Sequence, residues 1–178
     1  MNHFDAIRFD REGQIEAAAR LYEGSLLVGE RTLELFLNLA ILYWQATEIG
    51  FSTRHGLGPG FVATASERFP VLLSEAGRAY PESTEVRFWQ KYIPWADLGE
   101  EIAPEDCRQF LKEDPAVLAP AMYLFAQTQG REYRQEAVEL LRRCREDGTT
   151  RTQYVASVIE GVLKRSAWSE VHAQGGTT

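Results

Sequence analysis

The sequence of 178 residues has little of what metal sites, disulfide scaffolds and membrane spans require. It contains two cysteines, too few for a disulfide-rich scaffold, and none of its three histidines stands at a metal-ligand spacing. No uninterrupted apolar stretch approaches the roughly 18 residues that a membrane helix needs. The first residues, MNHFD, lack the basic and then apolar pattern of a secretory signal. We therefore expect a cytoplasmic protein with reduced thiols and no bound metal or cofactor.

Basic residues are outnumbered by acidic ones, 19 against 26, which gives a net charge of −7. A chain of that sign is repelled by phosphate backbones unless its cations are concentrated on one face. The hydrophobic fraction of 44% is sufficient for a packed core, and the length is that of one domain. The sequence thus predicts a single acidic α-helical domain over residues 1–178, with flexible ends at 1–10 and 169–178, that binds neither nucleic acid nor membrane.

Helical periodicity dominates the sequence, and the alternation typical of strands is nearly absent. A glycine-rich stretch over 49–60 predicts a loop of about a dozen residues, and Pro70 predicts a kinked or divided helix. The segment 32–47 is apolar nearly all round, so it should be the most buried helix. Apolar spacings of three and four residues predict helices over 12–28, 32–47, 61–80, 85–98, 104–112, 118–129, 133–146 and 152–168. The predicted class is all-α, with seven to eight helices in antiparallel pairs.

Two adjoining segments carry a repeat-like pattern of small and aromatic residues. Residues 36–43 read aromatic-x-x-Leu-Ala-x-x-Tyr, and weaker echoes occur at 76–81 and 110–115. The preceding pattern consists of Gly13, Ile15, Ala18, Tyr22, Ser25 and Leu26. Together they resemble tetratricopeptide repeats. The resemblance implies helix pairs stacked in a short right-handed superhelix, and an irregular helical bundle is the alternative.

The resemblance also implies where a ligand would lie, because tetratricopeptide repeats bind peptides along the concave face made by the first helix of each pair. It places Asn38, Arg87 and Lys91 on that face, with the amide binding a peptide backbone and the cations its carboxylates. Independently, the helix over 85–98 carries more aromatic surface than its neighbours can bury. Trp89 and Trp95 are therefore candidates to line a groove.

Charge is concentrated between residues 97 and 114. Seven acidic residues stand there against two basic ones, a balance of −5. Such a segment steers a charged protein partner, or else pairs with neighbouring helices of the same chain. Its exposed positions Glu100, Glu101 and Glu105 are candidate partner-binding residues.

The leading functional hypothesis is a protein–protein interaction module that binds a protein or an extended peptide in a helical groove, without catalysis. The sequence contains no nucleophile motif, and Cys107 and Cys144 lie on apolar stripes where burial is expected. One alternative is a bacterial immunity-like or antitoxin-like inhibitor that caps a toxin with the acidic segment. Another is a small-ligand-binding protein or enzyme that uses His55 in the 50–60 loop, although a plain connector explains that loop better.

Overall fold

Apolar residues at helical spacing fold the chain into ten helices in the computed structural model, which describes residues 3–174 and the side chains of 3–166. The all-α prediction is confirmed, and no strand occurs among the described residues. The predicted number of seven to eight was too low, because α1 and α4 were missed. The helices are α1 (His3–Arg11), α2 (Ile15–Leu27), α3 (Leu33–Thr47), α4 (Ile49–Arg54), α5 (Pro59–Ala79), α6 (Thr84–Leu98), α7 (Pro104–Glu113), α8 (Ala119–Gln127), α9 (Arg134–Asp147) and α10 (Thr150–Gln174).

Both missed helices replace segments that were predicted to be irregular. Helix α1 buries Ala6, Ile7 and Asp10 on one face, so the prediction of a flexible segment over 1–10 is wrong for residues 3–10. Helix α4 includes Gly50, and only residues 55–58 separate it from α5. The predicted loop over 49–60 is therefore wrong. Glycine lowers helix propensity by only about 1 kcal/mol, which the surrounding structure readily offsets.

Helix α3 is the centre of its part of the fold. Its N-cap is Thr32, whose hydroxyl accepts a hydrogen bond from the Leu35 amide at 3.2 Å. Every side chain from 35 to 44 is buried, as the densely apolar pattern predicted. The helix packs most extensively against α5 and also against α2 and α4. This pairing differs from the successive helix pairs of a tetratricopeptide superhelix.

Helix α5 continues through Pro70 without being divided. Proline removes one backbone hydrogen bond and leaves the carbonyl of the residue four positions earlier, Ser66, without its helical donor. Both residues are exposed, so water can hydrate that carbonyl. Of the two predicted outcomes, a divided helix is therefore wrong, and a kink at Pro70 stays a prediction.

The chain forms two compact units where the sequence predicts one domain. The first unit comprises Met1–Arg87 and Asp147–Arg151, and the second comprises Phe88–Glu146 and Thr152–Thr178. The predicted last helix, 152–168, starts two residues earlier and extends through Gln174, into the predicted flexible end. The rest of that end, 175–178, lies outside the described residues.

Both cysteines lie inside the fold. Cys107 and Cys144 are buried free thiols, as predicted. Burial raises the pKa of the Cys107 thiol to about 12, so it carries almost no thiolate at neutral pH. Among the described helices, none combines the length and the hydrophobicity that a membrane crossing demands.

Candidate functional site

Most of the aromatic group on α6 forms the core of the second unit. The rings of Trp89 and Tyr92 are buried and meet edge to face with centroids 5.5 Å apart. The Tyr92 hydroxyl lies 2.7 Å from the Tyr154 hydroxyl on α10, and the Trp89 ring lies 6.3 Å from the Tyr154 ring. Trp89 was predicted to line a groove, and this is wrong, because the ring is fully enclosed.

Trp95 is the aromatic residue of this group that keeps an exposed surface. Its ring stands at 89° to that of Tyr123 on α8, with centroids 5.1 Å apart, and its centroid is 5.3 Å from Tyr92. The side chain is half-buried, so one part is anchored in the core and the rest faces solvent. Leu98 stands three residues further along α6, on the same side of the helix, and is 74% exposed.

The predicted ligand cation Lys91 is already paired. Its Nζ lies 3.1 Å from Asp106 Oδ2, and both side chains are partly exposed. The ion pair links α6 to the first turn of α7, where Pro104 and two acids form a favourable helix start. Arg87 is half-buried and belongs to the first unit.

Glu100 and Glu101 follow the end of α6 and are exposed. Gly99, with φ of +68°, turns the chain out of the helix at this point. In the part of the chain whose side chains are described, no basic group lies within ion-pair distance of either carboxylate. Glu105, which is 77% exposed, differs because it pairs with Arg108 at 2.9 Å.

Four residues with exposed surface lie in the last turn of α6 or directly after it, and we call Trp95, Leu98, Glu100 and Glu101 the acidic edge. The sequence predicted three of its members and missed Leu98. The signal for Leu98 was an apolar residue at the last helical position, directly before a glycine and two acids.

Asn38 was predicted to face a bound peptide, and this is wrong, because it is fully buried in α3. Among the described residues, neither amide atom finds a hydrogen-bond partner of ordinary geometry. The amide lies beside the Tyr22 hydroxyl, where it partly opposes the rise in the pKa of that tyrosine that burial and Asp10 produce. Asn38 is therefore part of the interior of the first unit.

His55 has a structural position. Its Nδ1 lies 3.3 Å from the carbonyl oxygen of Gly13, and its ring lies against Phe51 with centroids 4.4 Å apart. Gly13 has φ of +72°, and a Cβ there would lie 3.4 Å from the imidazole. The histidine thus packs on the turn between α1 and α2. The predicted loop over 50–60 is reduced to the short connection 55–58, which begins with this histidine.

No protein-family model, curated protein or solved structure matches this chain. The resemblance to tetratricopeptide repeats accordingly remains a prediction. Within the described residues, no three histidine, cysteine or acidic side chains stand together as a metal site requires. The acidic edge is therefore interpreted from its own geometry and charge.

Proposed function

We propose that the protein is a non-catalytic protein-binding module whose acidic edge holds a basic segment of a partner protein. The observation that carries the proposal is the pair of exposed carboxylates, Glu100 and Glu101, without a counter-ion at the end of α6. Two acids near them in the sequence, Asp106 and Glu105, are instead paired with a lysine and an arginine.

The helix dipole makes this position more negative than the two charges alone. The last carbonyls of a helix carry about half a negative charge, and cations near them contribute roughly 0.3–1 kcal/mol each. Helix α6 has no basic residue in its last turn, and two acids follow it. Glu100 and Glu101 therefore place negative charges at a helix end where positive charges would be stabilising. A lysine or arginine from a partner would supply the missing charge.

The apolar members of the acidic edge, Trp95 and Leu98, would supply binding energy that the charges alone do not. Exposed ion pairs contribute little affinity, whereas half-buried aromatic side chains often dominate binding energy. Trp95 is anchored against Tyr123 and needs little ordering on binding. Leu98 extends the apolar surface beside it. We expect the partner to place an apolar residue on this pair and its cations on the glutamates.

An inhibitor of the immunity or antitoxin type is the second candidate role, and it would use the same surface. The density of acids over 97–114 favours it, because many such inhibitors must neutralise a basic active surface. The peptide groove of the first hypothesis, by contrast, loses Asn38 and Trp89, which are buried. The identity of the partner distinguishes an adaptor from an inhibitor.

The test is affinity capture from a lysate of the source cells, with quantitative mass spectrometry, at low and high salt. The test variant carries Glu100→Lys and Glu101→Lys. The matched control carries Glu67→Lys and Glu82→Lys, which change the net charge equally at exposed positions of the first unit. We expect a partner that is lost with the test variant and at high salt, because screening at 1 M reduces the Debye length to about 3 Å.

Retention of the same partner by the Glu100→Lys, Glu101→Lys variant would contradict the proposal. So would equal loss with the matched control, because it would show that only the net charge matters. A third variant, Trp95→Ala with Leu98→Ser, separates the apolar contribution. It should weaken capture at both salt concentrations.

A further inference from the structure

A cavity of about 540 Å³ opens on the surface of the first unit, far in sequence from the acidic edge. Its volume lies within the range of small-molecule sites, about 300–1,000 Å³. The residues that line it come from α1 and from the start of α3. They are His3, Phe4, Ile7, Arg8, Arg11, Thr32 and Glu34.

The charge of the cavity is positive. Two arginines line it against one carboxylate, that of Glu34. Arg8 has only long pairings, at 3.7 and 3.9 Å, with acids of its own helix. Within residues 3–166, no carboxylate lies within ion-pair distance of Arg11, which is exposed. An anion is the ligand that these two guanidinium groups favour.

The inner wall adds a polar group that lacks a hydrogen bond. Both ring nitrogens of His3 are buried, and neither makes a hydrogen bond within the described part of the chain. The closest carboxylate oxygen, from Glu34, lies 3.7 Å from Nε2. Buried polar atoms without partners are uncommon in folded proteins and mark places where a ligand or a water completes the site.

The rim is apolar and uncovered. Phe4 is 74% exposed, and its ring stands edge-on to that of His3 with centroids 6.1 Å apart. Ile7 lies beside it and is almost fully buried. An exposed phenyl ring next to cationic side chains fits a molecule with a flat apolar body and an anionic head.

We infer that this cavity is a binding site for a small anion with an aromatic body, such as an aryl phosphate or carboxylate. Arg8 and Arg11 bind the anionic head, His3 donates a hydrogen bond to it, and Phe4 packs on the ring. We call this the anion pocket. It is independent of the acidic edge, and no chemistry is assigned to it.

The test uses phenyl phosphate as the probe, with inorganic phosphate and phenol as its two halves. Titrations are followed by two-dimensional NMR of the full chain labelled with ¹⁵N and ¹³C. We expect saturable shifts at α1 and at the start of α3, with a dissociation constant of about 1 mM or tighter. Each half should bind at least tenfold more weakly, because neither uses both the cationic and the aromatic contacts.

Two variants with a matched control decide the assignment. Arg11→Ala should weaken phenyl phosphate binding about tenfold, and Phe4→Ala should reduce it to the level of inorganic phosphate. Arg54→Ala removes another exposed arginine of the first unit, one outside the cavity, and should leave binding unchanged. All three substitutions are at exposed positions, so we expect every variant to fold. An unchanged circular dichroism spectrum verifies this.

Three results would overturn the inference. Shifts that rise linearly without saturation would show that the probe has no site. Equal weakening by Arg54→Ala would show a general charge effect. Phenol binding as tight as that of phenyl phosphate would show that the arginines contribute nothing.

Discussion

The interiors of the two units differ in how their polar groups are hydrogen-bonded. In the first unit, a buried carboxylate, that of Asp10, accepts hydrogen bonds from the Tyr22 hydroxyl and from both the amide and the hydroxyl of Thr150. In the second unit, the centre is aromatic, and the hydroxyl of the buried Tyr92 pairs with that of the half-buried Tyr154. The interior of the first unit contains a carboxyl group that accepts three hydrogen bonds. The interior of the second unit contains aromatic rings that are stabilised by close packing.

The difference determines how tolerant each interior is. Aromatic packing depends on shape and loses stability in proportion to the volume removed. A buried carboxylate depends on geometry, because each donor left without an acceptor adds its own desolvation cost. Apolar substitutions should therefore be graded in the second unit. Substitutions at the polar centre of the first should follow hydrogen-bonding capacity instead of size.

Trp89→Ala should have the largest effect, about 4 kcal/mol of unfolding free energy, because it removes a fully buried indole. Trp89→Phe should cost clearly less, since it keeps an aromatic ring in place. Urea unfolding followed by circular dichroism measures both. Trp95→Ala is the control, and its cost should be smaller because that side chain is half-exposed. Equal costs for Trp89→Ala and Trp95→Ala would contradict the distinction between core and edge.

Asp10→Ala should cost about 3 kcal/mol, because the donors of Tyr22 and Thr150 then have no acceptor. Asp10→Asn keeps an acceptor oxygen at nearly the same volume and should cost less. The same unfolding assay applies. If Asp10→Ala and Asp10→Asn are equal, volume and not hydrogen bonding determines stability at this site.

Asp10 also gives the first unit a specific dependence on pH. Burial raises the pKa of its carboxyl group, and the hydrogen bonds from Thr150 and Tyr22 oppose that rise only in part. The native state therefore holds the proton to a higher pH than the unfolded state does. The contribution of Asp10 is greatest below its ordinary pKa of about 3.9 and declines as the pH rises through the raised value.

The measurement for this dependence is the difference in unfolding free energy between wild type and Asp10→Asn across that pH range. The variant cannot titrate at this position, so the difference isolates the carboxyl group. The difference should become less favourable to wild type as the pH rises. A rise in the opposite direction would mean that the hydrogen bonds outweigh burial.

Tyr92→Phe should have a smaller effect, about 1 kcal/mol, because it deletes one hydrogen bond and leaves the ring. Burial raises the pKa of Tyr92 above that of a free tyrosine, so its hydroxyl keeps its proton at neutral pH. The double variant with Tyr154→Phe should cost less than the sum of the two single variants. Strict additivity would show that the two hydroxyl groups do not interact.

The smallest effect on stability belongs to Glu100→Lys with Glu101→Lys. Exposed positions usually change the unfolding free energy by no more than about 0.5 kcal/mol. The change should be slightly stabilising, because lysine complements the negative end of α6. Thermal unfolding checks this, and a large destabilisation would place these side chains in the fold and not on a binding edge.

Sequence periodicity located eight of the ten described helices, because a 3.6-residue apolar repeat is a local property. The C-terminal end of α10 was the boundary that it misplaced most. It failed for α4, where Gly50 concealed a helix of six residues that α3 supports. The prediction that Asn38 is exposed was also wrong. Helix α3 is apolar on all sides, so none of its sides faces solvent, and its one amide side chain is buried with the rest. The hydrogen bonds around Asp10 could not be predicted from the sequence, for a different reason. Its partner Thr150 is 140 positions away.

The acidic edge shows what charge counting can and cannot find. The number of acids between 97 and 114 is a property of composition, so the sequence predicted a negative segment there. Which of them lack a counter-ion depends on packing. Lys91 on α6 pairs with Asp106 on α7, so this predicted ligand cation already has a partner within the chain.

The five residues 147–151 complete a unit that otherwise ends at Arg87. Thr150 supplies two donors to Asp10, and Arg151 pairs with Glu85 at 2.6 Å. During synthesis the ribosome delivers residues 1–87 well before these five. At an elongation rate of roughly 5–20 residues per second, the nascent first unit waits several seconds with its buried carboxylate incomplete. The first unit therefore assembles fully only after residue 151 has been synthesised, and a chain that terminates before residue 147 lacks the donors that Thr150 supplies to Asp10.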